Sequence, residues 1–356
     1  MRALSMILGL TLAFAAAASC SRKATDPNAA LPPEARHGQE LYARLCAVCH
    51  GERGEGYRAD EATRLAHPDF LASVSDSFLR AAITDGRAGS TMSAWSKERG
   101  GPLSATDIDA VVQYLRTWDH APRANLDERL AKGDATRGER IYQVECERCH
   151  GAHGVGGPYV RIGNVDFLRE ATNGFLRLAI QEGRAGTKMP AFGKKLGDGG
   201  VEDVVAFLRN PPRPAPPSPA RPRLSGPIAL GPVPLNPHGP EPSGFAKYPA
   251  TTRVDVVKHE LDRGAKLALL DARAPADYAL EHIAGAVSVP FYDVARYLEK
   301  LPKSAWLVCY CACPHAESGQ LAVALQKQGF TKVTVLEEGL GVWKSKGYPV
   351  RSGESP

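Results

Sequence analysis

A multidomain chain, with two small all-α domains followed by an α/β domain built on a parallel sheet, is the architecture that the 356 residues predict. Three observations carry that expectation. A block beginning Gly38-Gln39-Glu40-Leu41-Tyr42 recurs as Gly138-Glu139-Arg140-Ile141-Tyr142, 100 residues later. Each copy closes on helical apolar spacing: Ile108, Val111, Val112 and Leu115 over residues 107–116, and Val201, Val204, Val205 and Leu208 over residues 201–209. Beyond a proline-rich stretch, short apolar runs at 267–270, 286–289, 306–310 and 333–336 alternate with helical segments such as 320–328, the pattern of a parallel sheet with crossover helices.

The chain opens on Arg2 and an apolar run from Ala3 to Ala18, which has the length and small-residue ending of an export signal over residues 1–20. Export predicts a periplasmic or other extracytoplasmic location. Ala17-Ala18-Ser19-Cys20 is similar to a bacterial lipoprotein box, which would make Cys20 a lipid-bearing first residue and the membrane a partner; ordinary cleavage near Ser19 is the alternative. A net charge of +5, from 44 basic and 39 acidic groups without a dense basic block, argues against nucleic acid as a partner.

The first repeat spans residues 36–120 and the second 133–209. Beyond the opening block the register shifts to an offset of 97: Asp69-Phe70-Leu71 returns as Asp166-Phe167-Leu168, and Gly86-Arg87-Ala88-Gly89 as Gly183-Arg184-Ala185-Gly186. Each repeat holds one C-x-x-C-H, Cys46 to His50 and Cys146 to His150. Two thiols one helical turn apart can form thioethers with the vinyl groups of a haem, and the adjacent histidine can reach its iron, so two covalently bound haem c groups are expected. A redox C-x-x-C pair or half a zinc site are the bland alternatives, and neither needs the histidine. Once the export signal is cut, Met92 and Met189 are the only methionines, one per repeat in matching contexts, which makes them the expected second axial ligands rather than core gap-fillers. His/Met ligation favours electron transfer, with redox proteins as partners, over peroxide chemistry. His67, His120 and His153 are rival ligands without a visible counterpart in the other repeat, and are expected to be surface histidines.

Together with Gly51, Gly151 and the aromatic-leucine pairs Tyr114-Leu115 and Phe207-Leu208, these features resemble class I cytochrome c domains. Ser93 stands where the second repeat has Pro190, so the first methionine loop is expected to be the less rigid.

Residues 210–244 contain 13 prolines and no apolar period, and read as an extended linker that packs no core. Residues 245–352 resemble the rhodanese family through Asp271-Ala272-Arg273, His282-Ile283-Ala284-Gly285-Ala286, the strand running to Cys311, and the closing Gly339, Trp343 and Pro349. The resemblance makes Cys311 the counterpart of the family's thiol, which accepts sulfane sulfur as a persulfide. Its loop, Cys311 to Ser318, contains no arginine, so a persulfide or other reduced sulfur donor suits it better than thiosulfate. Cys313 could attack a persulfide on Cys311, and His315 could partly supply the missing cation. Cys309 reads as a core thiol, and Asp271 and Arg273 as structural anchors. Two functions stay open: electron transfer joined to sulfur relay, and plain electron transfer with the last domain as a docking module.

Overall fold

The computed structural model describes residues 31–59, 61–212, 219–312 and 315–356. The proposed export signal and Cys20 lie outside the described residues, as does Cys313. Among the described residues no helix is long and apolar enough to cross a membrane.

The first repeat is built from helices α1 (Pro33–Leu45), α2 (Ala47–His50), α3 (Pro68–Ser73), α4 (Asp76–Asp85) and α5 (Ala105–Arg116). The second repeats the order with α6 (Ala135–Glu145), α7 (Glu147–His150), α8 (Val165–Glu170), α9 (Asn173–Glu182) and α10 (Gly193–Arg209). In each repeat the opening helix crosses the closing one at a glycine. A β-carbon on Gly38 would collide with the Ala110 carbonyl, and one on Gly138 with the Asp203 carbonyl, so only glycine lets the two backbones approach. The expected apolar faces of α5 and α10 are both buried. Helix α5 starts on a capping box, in which the Ser104 hydroxyl accepts from the Asp107 amide and the Asp107 carboxylate accepts from the Ser104 amide. Helix α10 begins eight residues earlier than its apolar spacing suggests, with a break at Gly197, where φ is +63°.

The last domain carries β1 (Thr251–Thr252), α11 (Val254–Asp262), β2 (Leu267–Asp271), α12 (Pro275–Leu280), β3 (His282–Ile283), β4 (Ala286–Ser288), β5 (Trp306–Tyr310), α13 (Ala316–Lys327), β6 (Val333–Leu336), α14 (Gly339–Ser345) and β7 (Val350–Arg351). Five strands form a parallel sheet in the order β1-β6-β5-β2-β4, and β3 pairs antiparallel with β7. Strands β2 and β5 are buried along their whole length, which is why they read as unbroken apolar runs rather than alternating ones. Cys311 follows β5 directly, at the carboxyl end of the central strand, where open parallel sheets place their ligand sites.

The proline-rich stretch departs from expectation. Its described parts, residues 210–212 and 219–244, have no helix, yet Ile228 and Leu230 are buried, and Ile228 joins the apolar core of the α/β domain beside Val254, Tyr278 and Trp343. Extended backbone needs no helical period to bury side chains, so the absence of a period did not exclude packing. The Leu224 amide donates to the Glu98 carbonyl at 3.0 Å and the Lys266 amide to the Pro240 carbonyl at 2.8 Å, which lays the segment along both the first repeat and the α/β domain.

Candidate haem and sulfur sites

Each C-x-x-C-H spans the end of one helix and a single short turn of the next. The Tyr42 hydroxyl donates to the Gly51 carbonyl at 2.7 Å, and Tyr142 to Gly151 at 2.9 Å, fixing the chain just past each histidine. The two histidines are held alike. His50 Nδ1 lies 2.8 Å from the Thr63 carbonyl and His150 Nδ1 2.8 Å from the Val160 carbonyl, and residues 63 and 160 keep the offset of 97. A carbonyl only accepts, so Nδ1 carries the proton and Nε2 keeps a free lone pair, the usual state of a metal-ligating histidine. Burial lowers both imidazole pKa values and favours that neutral form. The surrounding apolar wall pushes the Cys46 and Cys146 thiols up to about 12, the opposite of what an exchanging redox pair requires. Among the described residues no group of three or more His, Cys, Asp or Glu side chains is arranged to hold a metal ion, so the donor set of a closed zinc site is not provided.

Cys46, Cys49, His50 and Met92 line one continuous cavity of about 680 Å³ together with Cys146, Cys149, His150 and Met189. The wall is mostly apolar, but three arginines enter it with a buried nitrogen lacking a partner: Arg64 Nε, Arg87 Nη2 and Arg184 Nη2. Buried donors of this kind call for an acceptor, and a large apolar cofactor edged with carboxylates supplies one. These residues therefore fit haem. Arg87 and Arg184 are the repeated arginines, and each feels the acidic groups of the opposite repeat: Glu170 and Asp166 for Arg87, Asp69 for Arg184.

The two repeats meet face to face. Phe78 and Phe175, equivalent at the offset of 97, have ring centroids 5.6 Å apart, and the Arg87 guanidinium sits 4.6 Å from the Phe78 centroid. His67 Nε2 donates to the Ala185 carbonyl at 2.8 Å, while Asn164 Nδ2 donates to the Ala88 carbonyl at 2.9 Å. Both residues also accept from the amide two positions on, at the start of α3 and of α8. His67 is thus corrected from an expected surface histidine to a buried cap, 3% exposed, and its counterpart is Asn164. Aligning the two helix starts at the offset of 97 would have found the pair. His120 is exposed and His153 half-buried.

In the α/β domain Cys311 is fully buried, with Sγ 3.3 Å from the Ser318 hydroxyl. Cys309 is equally buried, and burial raises its thiol pKa, in keeping with a core thiol. Asp271 accepts from the Arg273 backbone amide at 3.0 Å and pairs with its guanidinium at 2.6 Å, an internal anchor at the end of β2. His315, in a left-handed conformation with φ of +72°, donates from Nε2 to the Glu337 carbonyl at 2.8 Å, so its ring straps the loop to the chain beyond β6. The sequence did not suggest a part for Glu317. This carboxyl lies in the first turn of α13; burial pushes its pKa well above the usual carboxylate range, and the Cys311 thiol adds to the effect. It also lines the cavity described above, where α13 packs against α2.

Residues 33–115 and 133–208 match the family described as "Cytochrome C oxidase, cbb3-type, subunit III", and residues 254–346 match "Rhodanese-like domain". The chain is similar to the cbb3-type cytochrome c oxidase subunit CcoP of Azospirillum sp. (strain B510), 27% identical over 49% of this chain and 60% of that protein. Similarity to subunit FixP of Bradyrhizobium diazoefficiens is 28% over 58% of this chain and 71% of that protein. A probable adenylyltransferase/sulfurtransferase, MoeZ of Mycobacterium tuberculosis, is 34% identical over 25% of this chain and 23% of that protein. Among solved structures, the rhodanese-like domain of an Anabaena sp. protein is 32% identical, covering 29% of this chain and 78% of that one with a TM-score of 0.27.

Proposed function

From the premise that this chain joins two cytochrome c domains of the cbb3-type subunit III family to a rhodanese-like domain, we propose that it is a dihaem electron-transfer protein with a sulfur-binding site set against its first haem pocket. Cys46 and Cys49 would hold one haem through thioethers, with His50 and Met92 as axial ligands; Cys146, Cys149, His150 and Met189 would hold the other. When bound, these groups supply one-electron exchange. The protein's own contribution is to keep both imidazoles neutral and oriented, to exclude water with the phenylalanine face, and to receive the carboxylates of the cofactors on Arg64, Arg87 and Arg184.

Cys311 takes the sulfur. Its thiolate attacks the outer sulfur of a persulfide donor, the donor's S–S bond breaks, and the donor leaves as a thiolate while Cys311 becomes a persulfide. Attack by Cys313 on the Cys311 sulfur then releases sulfide and leaves a disulfide between them. The observation that carries the reading is the first turn of α13, whose Ser318 hydroxyl lies 3.3 Å from Cys311 Sγ while its Glu317 lines the haem cavity, so that one turn of helix borders both sites. Polysulfide or cysteine persulfide should add one sulfur to Cys313→Ser, read by mass spectrometry, and Cys311→Ser should abolish the addition. A one-sulfur addition that persists in Cys311→Ser overturns the sulfur role.

The complete burial of Cys311, with Trp95 of the first repeat packed 5.8 Å from Tyr292, favours a second reading, in which the rhodanese-like domain only docks. The absence of a one-sulfur mass increase in Cys313→Ser after persulfide treatment would select it. The reading also includes export and lipidation at Cys20, on the strength of its sequence motif. Mass spectrometry of the membrane-extracted protein tests this, and a mature form with an unmodified N-terminus would defeat the lipidation while leaving export intact.

A further inference from the structure

The two methionine loops share one hydrogen-bond skeleton. In the first, the Arg87 amide donates to the Met92 carbonyl at 3.0 Å, and the Ser90 hydroxyl donates to the Arg87 carbonyl at 2.7 Å while accepting from the Met92 amide at 3.2 Å. In the second, Arg184, Thr187 and Met189 make the same three bonds at 2.8, 2.7 and 3.1 Å. The second loop continues into Pro190, whereas the first continues into Ser93. What the first loop has instead is a side chain from the proline-rich segment. Arg221 has its side chain only 3% exposed; its Nη2 donates to the Ser90 carbonyl at 3.1 Å and its Nε to Asp277 of α12 at 2.6 Å. Its own carbonyl accepts from Arg99 Nη1 at 2.6 Å, and Arg99 in turn pairs with Asp85 at the end of α4.

The geometry points to Arg221 as the positioning residue of the Met92 ligand loop, clamping Ser90, the centre of that skeleton, to the rhodanese-like domain. A planar guanidinium can serve a carboxylate and a carbonyl at once, and the buried charge of Asp277 holds it in place. The first electron-transfer site is then completed by a residue that belongs to neither cytochrome repeat. The inference rests on Met92 being an iron ligand.

The test uses the full-length dihaem protein and reads the sulfur-to-iron absorption band. Met92→Ala calibrates the loss belonging to the first site and Met189→Ala that of the second. Arg221→Ala should remove most of the first-site band, lower that site's potential and leave the second site's band intact. It should also speed amide hydrogen exchange at Arg87 and Met92 by roughly tenfold, with no change at Arg184 and Met189. Arg221→Lys, which keeps the charge toward Asp277 but not the fork, should lie between. If Met92→Ala leaves the band unaltered, the ligand reading fails. If Met92→Ala removes its share but Arg221→Ala changes neither band nor exchange, the clamp alone fails. Equal loss from both sites in Arg221→Ala would also overturn it, since the effect would then be general unfolding.

Discussion

The first and second methionine loops have the same bonds and different sources of stiffness. The second is braced within its own sequence, because Pro190 fixes a backbone torsion beside Met189. The first is braced from outside, by Arg221 more than 120 residues away, which itself leans on Asp277. A ligand loop stiffened by proline works whatever its neighbours do. One held by a clamp works only while the neighbouring domain is seated, which makes the first site responsive to the rhodanese-like domain and the second indifferent to it.

The largest effects should come from the ligands. Met92→Ala and Met189→Ala should each abolish one sulfur-to-iron band and lower one potential by a sizeable part of the ~0.8 V range that axial ligands span, measured by redox titration. If both bands vanish together, the loops are not independent and the contrast between them breaks. Next come the helix crossings. Gly38→Ala and Gly138→Ala should each cost about 1–3 kcal/mol in denaturant unfolding, because each β-carbon meets a backbone carbonyl that cannot step aside. Similar costs in both would confine the difference between the repeats to their loops.

Exchanging the braces sharpens the contrast further. Pro190→Ser should destabilise the second loop by about 0.4–1 kcal/mol, seen as faster hydrogen exchange at Met189, and Ser93→Pro should partly restore the band lost in Arg221→Ala. The smallest effect is on pH. His37 and the Ser104 capping box hold the Asp107 carboxyl down at about 2, below its unfolded value of about 3.9. Its stabilisation is therefore full above about pH 4 and disappears as the pH falls through 2; solvent screening keeps it near 1 kcal/mol or less. The structurally matching position in the second repeat is Gly200, so Asp107→Asn should flatten the acid limb of the first repeat alone, as read by circular dichroism and exchange.

Much of this was legible in the chain. The two C-x-x-C-H motifs, the two methionines and the period change after the proline-rich stretch each report a local pattern, and the helices and strands formed where the apolar periods lie, α10 alone starting eight residues early. Less legible was anything that needs two distant segments at once. His67 reads as a lone polar residue until it is set beside Asn164 and both carbonyl acceptors are seen. Arg221 sits among prolines, where composition announces extended backbone and says nothing of what that backbone lies against. Glu317 looks like an ordinary first-turn acid of a helix, favourable to the helix end, and only packing against α2 shows that it is buried. Pattern reports the period of an element; a buried charge reports a partner, and partners come from tertiary structure.

The reciprocal bonds from His67 to Ala185 and from Asn164 to Ala88 have a further consequence. They use the same patch of each repeat against itself, the signature of an isologous, two-fold contact, here enclosed within a single polypeptide. Such a contact is what a symmetric homodimer becomes when its gene is duplicated in tandem and its subunits are made continuous. In a homodimer one substitution in the patch would alter both bonds, whereas here His67 and Asn164 can be changed one at a time, so each half of the contact can be weighed alone.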